Sequence, residues 1–180
     1  MDARCHAVDP SPLLEAAFRR IERERMAGLP LLHPALRVQA VDFERRGPLW
    51  LGSLVTPWFL NLVLVPAELE GWRSLADGAR VFHRFGAGDF AFLGGCEPEL
   101  GEFQSCSLIS PMSGFPDQAS ACATARAALR MLHVERPAAT LMGVAASCEP
   151  QRALAPDNVT PARPTRRGML FGVQARRHEA

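Results

Sequence analysis

The residues of this chain best able to do chemistry are its five cysteines, at positions 5, 96, 106, 122 and 148, which could act as nucleophiles, redox partners or soft metal ligands. Their spacing argues against most of these uses. No two form a C-x-x-C pair, so neither a zinc site nor a rubredoxin-type iron site is expected, and no cofactor is predicted. An odd, scattered set reads as free thiols rather than a disulfide framework. Cys106, in the run Gln104-Ser105-Cys106-Ser107, is the one candidate nucleophile. A thiol enzyme needs a base beside it, and His83, His133 and Asp117 qualify only if the fold carries them there. The alternative use of a lone strand cysteine is as a small buried hydrophobe. His33 and His133 have no partner at metal-ligand spacing.

Binding chemistry is better represented than catalytic chemistry. The block Thr56-Pro57-Trp58-Phe59-Leu60-Asn61 sets two large aromatics after a proline bend and an amide inside an apolar run. A buried Asn61 must find hydrogen-bond partners, in an adjacent bulge or in a bound peptide. Farther along stand Met112, Phe115, Asp117 and Gln118. Met and aromatic side chains suit variable peptide targets, so Trp58, Met112 and Phe115 are expected to line one apolar groove; the alternative is that Trp58 and Phe59 are core, the favoured reading for Phe59. Asp117 at the start of a helix is also explained by capping alone.

The elements that must position these residues follow from periodicity. Ser11 and Pro12 read as the cap and first-turn proline of a helix whose apolar stripe is Leu14, Ala17, Phe18 and Ile21, ended by Gly28 and Pro30. Strand patterns follow over 36–40, with a phase change at Val41 and Phe43 that predicts a bulge. Further strands are predicted from Trp50 to Thr56, from Phe59 to Val65 (apolar on both sides except at Asn61), and over 80–85, 89–93 and 103–109. A second helix spans about 117–133, with Cys122, Ala125, Leu129 and Leu132 on one face. The 71–78 stretch reads as a turn or loop, and a short apolar piece lies at 139–146. The expected class is α+β: a mostly antiparallel sheet of about six strands flanked by two helices, with a flexible C-terminal tail.

With 48% apolar and 22% charged residues the composition is that of a globular protein, and its net charge of +1 is unevenly spread. Residues 1–149 hold 14 Arg against 17 acids, net −3, whereas residues 150–180 hold 6 Arg against 2 acids, net +4. The chain divides into an expected domain over 1–147 and a Pro/Arg-rich tail over 148–180. No apolar run is long enough to span a membrane, and the N-terminus lacks the apolar core of a secretory signal. The protein is therefore expected in the cytoplasm; its net charge by itself excludes no partner, and nucleic acid is not among those expected.

Four blocks carry a family resemblance: RMAGLPLLHPALRVQAVDF (25–43), LGSLVTPWFLNLVLVP (51–66), FGAGDFAF (85–92) and LGEFQSCSLISPMSGFPDQASACATARAAL (100–129). In this order they resemble the HybE/HupJ family of [NiFe]-hydrogenase assembly chaperones. The resemblance implies a protein that is not an enzyme. It would bind the hydrogenase large subunit, and the small-subunit precursor with its twin-arginine signal, before export. Client-binding candidates on that reading are Trp58, Phe59, Asn61, Gln104, Cys106, Met112, Phe115, Asp117 and Gln118. A thiol-dependent enzyme or redox maturation factor acting through Cys106 is the alternative. Many relatives carry an additional rubredoxin domain; the C-x-x-C pairs that would mark one are missing from this sequence.

The tail holds a last motif. Thr165, Arg166, Arg167 and Leu170 match a twin-arginine export pattern, with Met169 in place of its aromatic residue. At this position the pattern cannot direct export. It reads either as two adjacent arginines in a basic, solvated tail or as a mimic of a client's signal.

Overall fold

A computed structural model describes residues 3–134 of the chain. Helix α1 (Ser11–Ile21) carries a proline in its first turn, where no backbone donor is needed. The capping acceptor is Asp9 rather than the expected Ser11: its carboxylate oxygen accepts from the Ser11 N–H at 2.9 Å and the Ser11 hydroxyl at 2.6 Å. Leu14, Ala17, Phe18 and Ile21 are all buried, as their spacing requires. The helix then widens into a π-turn, Glu22–Met26. Met26 follows Ile21 by five residues, the π repeat, and is 1% exposed. A continued α-helix would have turned Arg25 inward at that point. The wider turn leaves Arg25 free to reach across the sheet.

Six strands follow: β1 (Gln39–Arg46), β2 (Leu49–Val55), β3 (Leu60–Pro66), β4 (Arg80–Phe85), β5 (Gly88–Glu97) and β6 (Gly101–Ile109). They form one sheet in the order β1-β2-β3-β6-β5-β4, with every neighbouring pair antiparallel. Helix α2 (Gln118–Met131) closes the described part. The predicted bulge is present: the β1–β2 register shifts between Val41 and Glu44, and Asp42 takes a positive φ of 49°. The shift turns Phe43 over Gly52, where a Cβ would lie 2.3 Å from the Phe43 ring, so only glycine fits.

The β2–β3 turn is made by the Thr56 side chain. Its Oγ1 accepts from the Phe59 N–H at 3.0 Å and donates to the Phe59 carbonyl at 3.1 Å. Strand β3 is buried along its whole length, as expected of a strand covered on both sides. Helix α2 covers one face, packing Ala121, Cys122 and Ala125 on Val41, Val55, Leu60 and Met112. Farther along the same face, Leu129 and Leu132 join Leu51, Leu62, Val81 and Phe92. Helix α1 covers the other face: the Phe18 ring meets Phe59 and Phe103 edge-on, with centroids 5.9 and 5.8 Å away.

Candidate client-binding surface

The structure places the sequence-predicted site residues on two faces of the sheet and mostly inside it. Trp58 (1% exposed), Phe59 (4%) and Met112 (0%) are core residues. Trp58 is held by its edge-on contact with Phe59 at 5.5 Å and by its carbonyl, which accepts from the Ser110 hydroxyl at 3.1 Å. This corrects the expected groove. The proline bend turns Trp58 inward, and Met112 lies beneath α2, so neither presents a surface.

Gln104 and Gln118 act as ties. Gln104, 1% exposed, donates through Nε2 to the Arg73 carbonyl at 2.8 Å, while its Oε1 lies 2.6 Å from His83 Nε2. It thereby fixes the 67–79 loop and β4 to β6. Gln118 accepts from the Arg37 N–H at 3.0 Å and donates to Gln39 Oε1 at 2.9 Å, joining the start of α2 to β1. Asp117 is the α2 N-cap, accepting from the Ser120 N–H at 2.8 Å. The hydrogen bonds from Ser120 hold its carboxyl below the usual aspartate value. Phe115 is half-buried against the α2-side core.

Cys106 is buried opposite Leu62, and that burial pushes its thiol pKa up, away from nucleophilic character. The three possible bases are placed otherwise: His83 on Gln104, Asp117 at the α2 cap, and His133 at the mouth of a cleft between β1 and α2. Among the described residues, none of the three makes a hydrogen bond to the Cys106 thiol. Thr165, Arg166, Arg167 and Leu170, and the 139–146 piece, lie outside the described residues.

Asn61 keeps its tension. It is 2% exposed, on the α1 side of β3, and its Oδ1 has no hydrogen-bond partner; the same holds for the Oγ of Ser105, 3% exposed, on neighbouring β6. Both lie in the stretch of sheet between Phe59 and Phe103, the two rings that Phe18 bridges.

Two surface features were not singled out by sequence. A cleft of about 110 Å³ between β1 and α2 is lined by Asp42, Arg126, Arg130 and His133 among others, with Arg126 Nε 3.4 Å from Asp42 Oδ1. On the α1 side of the sheet, Phe82 of β4 is 64% exposed beside its partner Ala91 on β5. The sequence Arg80-Val81-Phe82-His83-Arg84-Phe85 hid it, because apolar residues occupy both phases of the strand.

The arrangement is a one-sheet α+β domain with structural polar ties, a buried thiol at Cys106 and an exposed apolar side chain at Phe82. Among the described residues no cluster of His, Cys, Asp and Glu is placed to hold a metal ion, and no helix is long and apolar enough to cross a membrane. Comparison with known proteins then gives the family. The profile described as "[NiFe]-hydrogenase assembly, chaperone, HybE" matches residues 9–172. Protein HoxT of Cupriavidus necator is 41% identical over 176 residues, covering 92% of this chain and 89% of its own. The hydrogenase expression/formation protein HupJ of Bradyrhizobium diazoefficiens is 41% identical over 126 residues, covering 70% of this chain and 73% of its own. The solution structure of HybE from Escherichia coli superposes with a TM-score of 0.61 at 25% identity, covering 89% of this chain and 98% of that one. The chain belongs to the HybE family of [NiFe]-hydrogenase assembly chaperones, which implies hydrogenase subunits as partners and a role that is not enzymatic.

Proposed function

We propose that this chaperone works in the cytoplasm on hydrogenase precursors. It binds the large subunit and the small subunit that bears a twin-arginine signal, and it holds them back from export until their metal centres are in place. The observation that carries this reading is the family match across residues 9–172, which spans nearly the whole chain. The domain itself supplies packing and hydrogen-bonded ties, and its Cys106 thiol is buried, which suits holding a client. The test is binding of the full-length chain to three purified proteins: large subunit, small-subunit precursor, and the small subunit without its signal. Submicromolar binding of the large subunit and of the precursor, weakened by loss of the signal, supports the reading. No binding of any of the three overturns it.

The basic tail takes a part in the same reading: its Thr165-Arg166-Arg167 segment imitates the client's signal and competes for its site. A tethered segment acts at an effective concentration near ~1 mM, so weak affinity suffices. Residues 150–180 carry a net charge of +4, the sign of a twin-arginine signal. Removing residues 160–180, or changing Arg166 and Arg167 to Gln, tightens binding of a twin-arginine signal peptide in calorimetry. Unchanged affinity at low and moderate salt leaves the tail an ordinary solvated end.

A further inference from the structure

On the α1 side, direct strand pairs set Ser105, Leu93 and Arg80 in one row, and Phe82 beside Ala91 in the next. Ser107 of β6, exposed, pairs with Asn61 of β3. Helix α1 crosses this face obliquely and reaches β5 only at its end, where Arg20 meets Glu97 at 2.7 Å. Nothing described covers β4 on this side. Phe82 is therefore 64% exposed, beside the half-buried Ala91 and Leu93. Arg80 and Arg84 flank Phe82 on the same face, and neither makes an ion pair among the described residues. Asp89, opposite Arg84, leaves that pair of positions neutral and the strip as a whole positive.

We infer that the Phe82–Ala91–Leu93 strip, edged by Arg80 and Arg84, is a docking surface for an acidic amphipathic α-helix of a hydrogenase subunit. This deepens, and rests on, the proposed function. Width sets the occupant's form: Ser105 of β6 is buried, so the open part of this face is β5 and β4, two strands ~4.8 Å apart, which seat one helix and not two. Charge sets its chemistry. Arg80 and Arg84 lie four residues apart on a strand, about 13 Å. A helix along β4 meets both with acidic residues about seven or eight positions apart, two turns along one border of its apolar stripe, the long arginine side chains spanning the remainder. A twin-arginine segment has the opposite charge, so the strip takes the mature part of a subunit and not its signal.

The test uses the full-length chain with Phe82→Ser and with the pair Arg80→Glu and Arg84→Glu. These side chains are exposed, so Phe82→Ser keeps the thermal midpoint near that of the unsubstituted protein, and the charge reversal, which sets a second acid opposite Asp89, lowers it only slightly. Phe82→Ser is expected to weaken binding of the large subunit, or of the small subunit without its signal, at least tenfold. The double charge reversal weakens it further at low salt and flattens its salt dependence, while affinity for an isolated signal peptide is unchanged. Unchanged affinity of both variants for both subunits overturns the inference and leaves Arg80 and Arg84 as guards of an unpaired edge strand. If the unsubstituted protein binds no subunit, the proposed function fails by itself. The strip is then judged by amide chemical shifts with a synthetic helix of the stated pattern: shifts confined to 80–84 and 89–93 support it, and none at millimolar peptide overturns it.

Discussion

Arg20 and Glu97, 77 residues apart in sequence, meet at 2.7 Å and fasten α1 to the end of the β5–β6 hairpin. The Glu97 side chain is 6% exposed and also accepts from Arg25 at 2.7 Å, the residue that the π-turn releases from the core. Glu99 completes the cluster at 2.9 Å; its hydrogen bond, with that of Glu97, raises the Arg20 pKa further above its usual value. Removing the buried partner leaves two cations facing a desolvated pocket. Glu97→Gln is therefore expected to cost about 2–3 kcal/mol in urea unfolding. Arg45→Met, which breaks the exposed pair with Glu68, is expected to cost below ~1 kcal/mol. Equal losses in the two variants would show that burial does not set the strength of these pairs.

Trp58 tests the correction to the groove. As a side chain 1% exposed, its truncation to Ala removes a core aromatic and is expected to lower stability by about 3–5 kcal/mol. Phe82→Ser, at a position 64% exposed, is expected to shift stability by less than ~1 kcal/mol. Denaturant midpoints of both variants, measured side by side, check the contrast. A Trp58→Ala protein as stable as the parent would return Trp58 to the surface.

Much of this fold was legible in local pattern, and the failures share a cause. Strand β4 runs over Arg80–Phe85 as its flanking glycines predict, and the phase change at Val41 and Phe43 is a real bulge. The Asp117 cap needed only its neighbour Ser120. Trp58 differs, because its direction depends on Ser110, 52 residues away, and on the Phe18–Phe59 contact between α1 and the sheet. Gln104 looked like a client contact because its partners, His83 and Arg73, are 21 and 31 residues distant. Phe82 was missed for the complementary reason: whether a strand face is covered depends on where α1 crosses the sheet, which periodicity does not encode.

Asp117 gives a pH prediction. Its carboxyl sits below the ordinary value of 3.8, so the charged form favours the folded state. That contribution is present above the unfolded pKa and is lost as pH falls through the lower folded value. Between pH 5 and about pH 2.5, the thermal midpoint of Asp117→Asn should therefore fall less than that of the parent. Parallel declines would show that the cap carries no pH-dependent stability.

Thiol chemistry can be checked directly. Cys5 and Cys96 are exposed, whereas Cys106 and Cys122 are buried. A disulfide reagent applied to the native protein is expected to label Cys5 and Cys96 rapidly and Cys106 only after unfolding, as mass spectrometry of digested peptides would reveal. Cys106→Ala should retain client binding. Its loss in a variant that still folds would restore the thiol to a functional role.

The central claim is tested most directly by isolating the tagged full-length chain from cells that are assembling a [NiFe] hydrogenase and quantifying what accompanies it. Stoichiometric hydrogenase subunit in unprocessed precursor form, retained at moderate salt and reduced by Phe82→Ser, is the predicted result. Recovery of the chain without any hydrogenase subunit, from cells in which precursors are abundant, would contradict it.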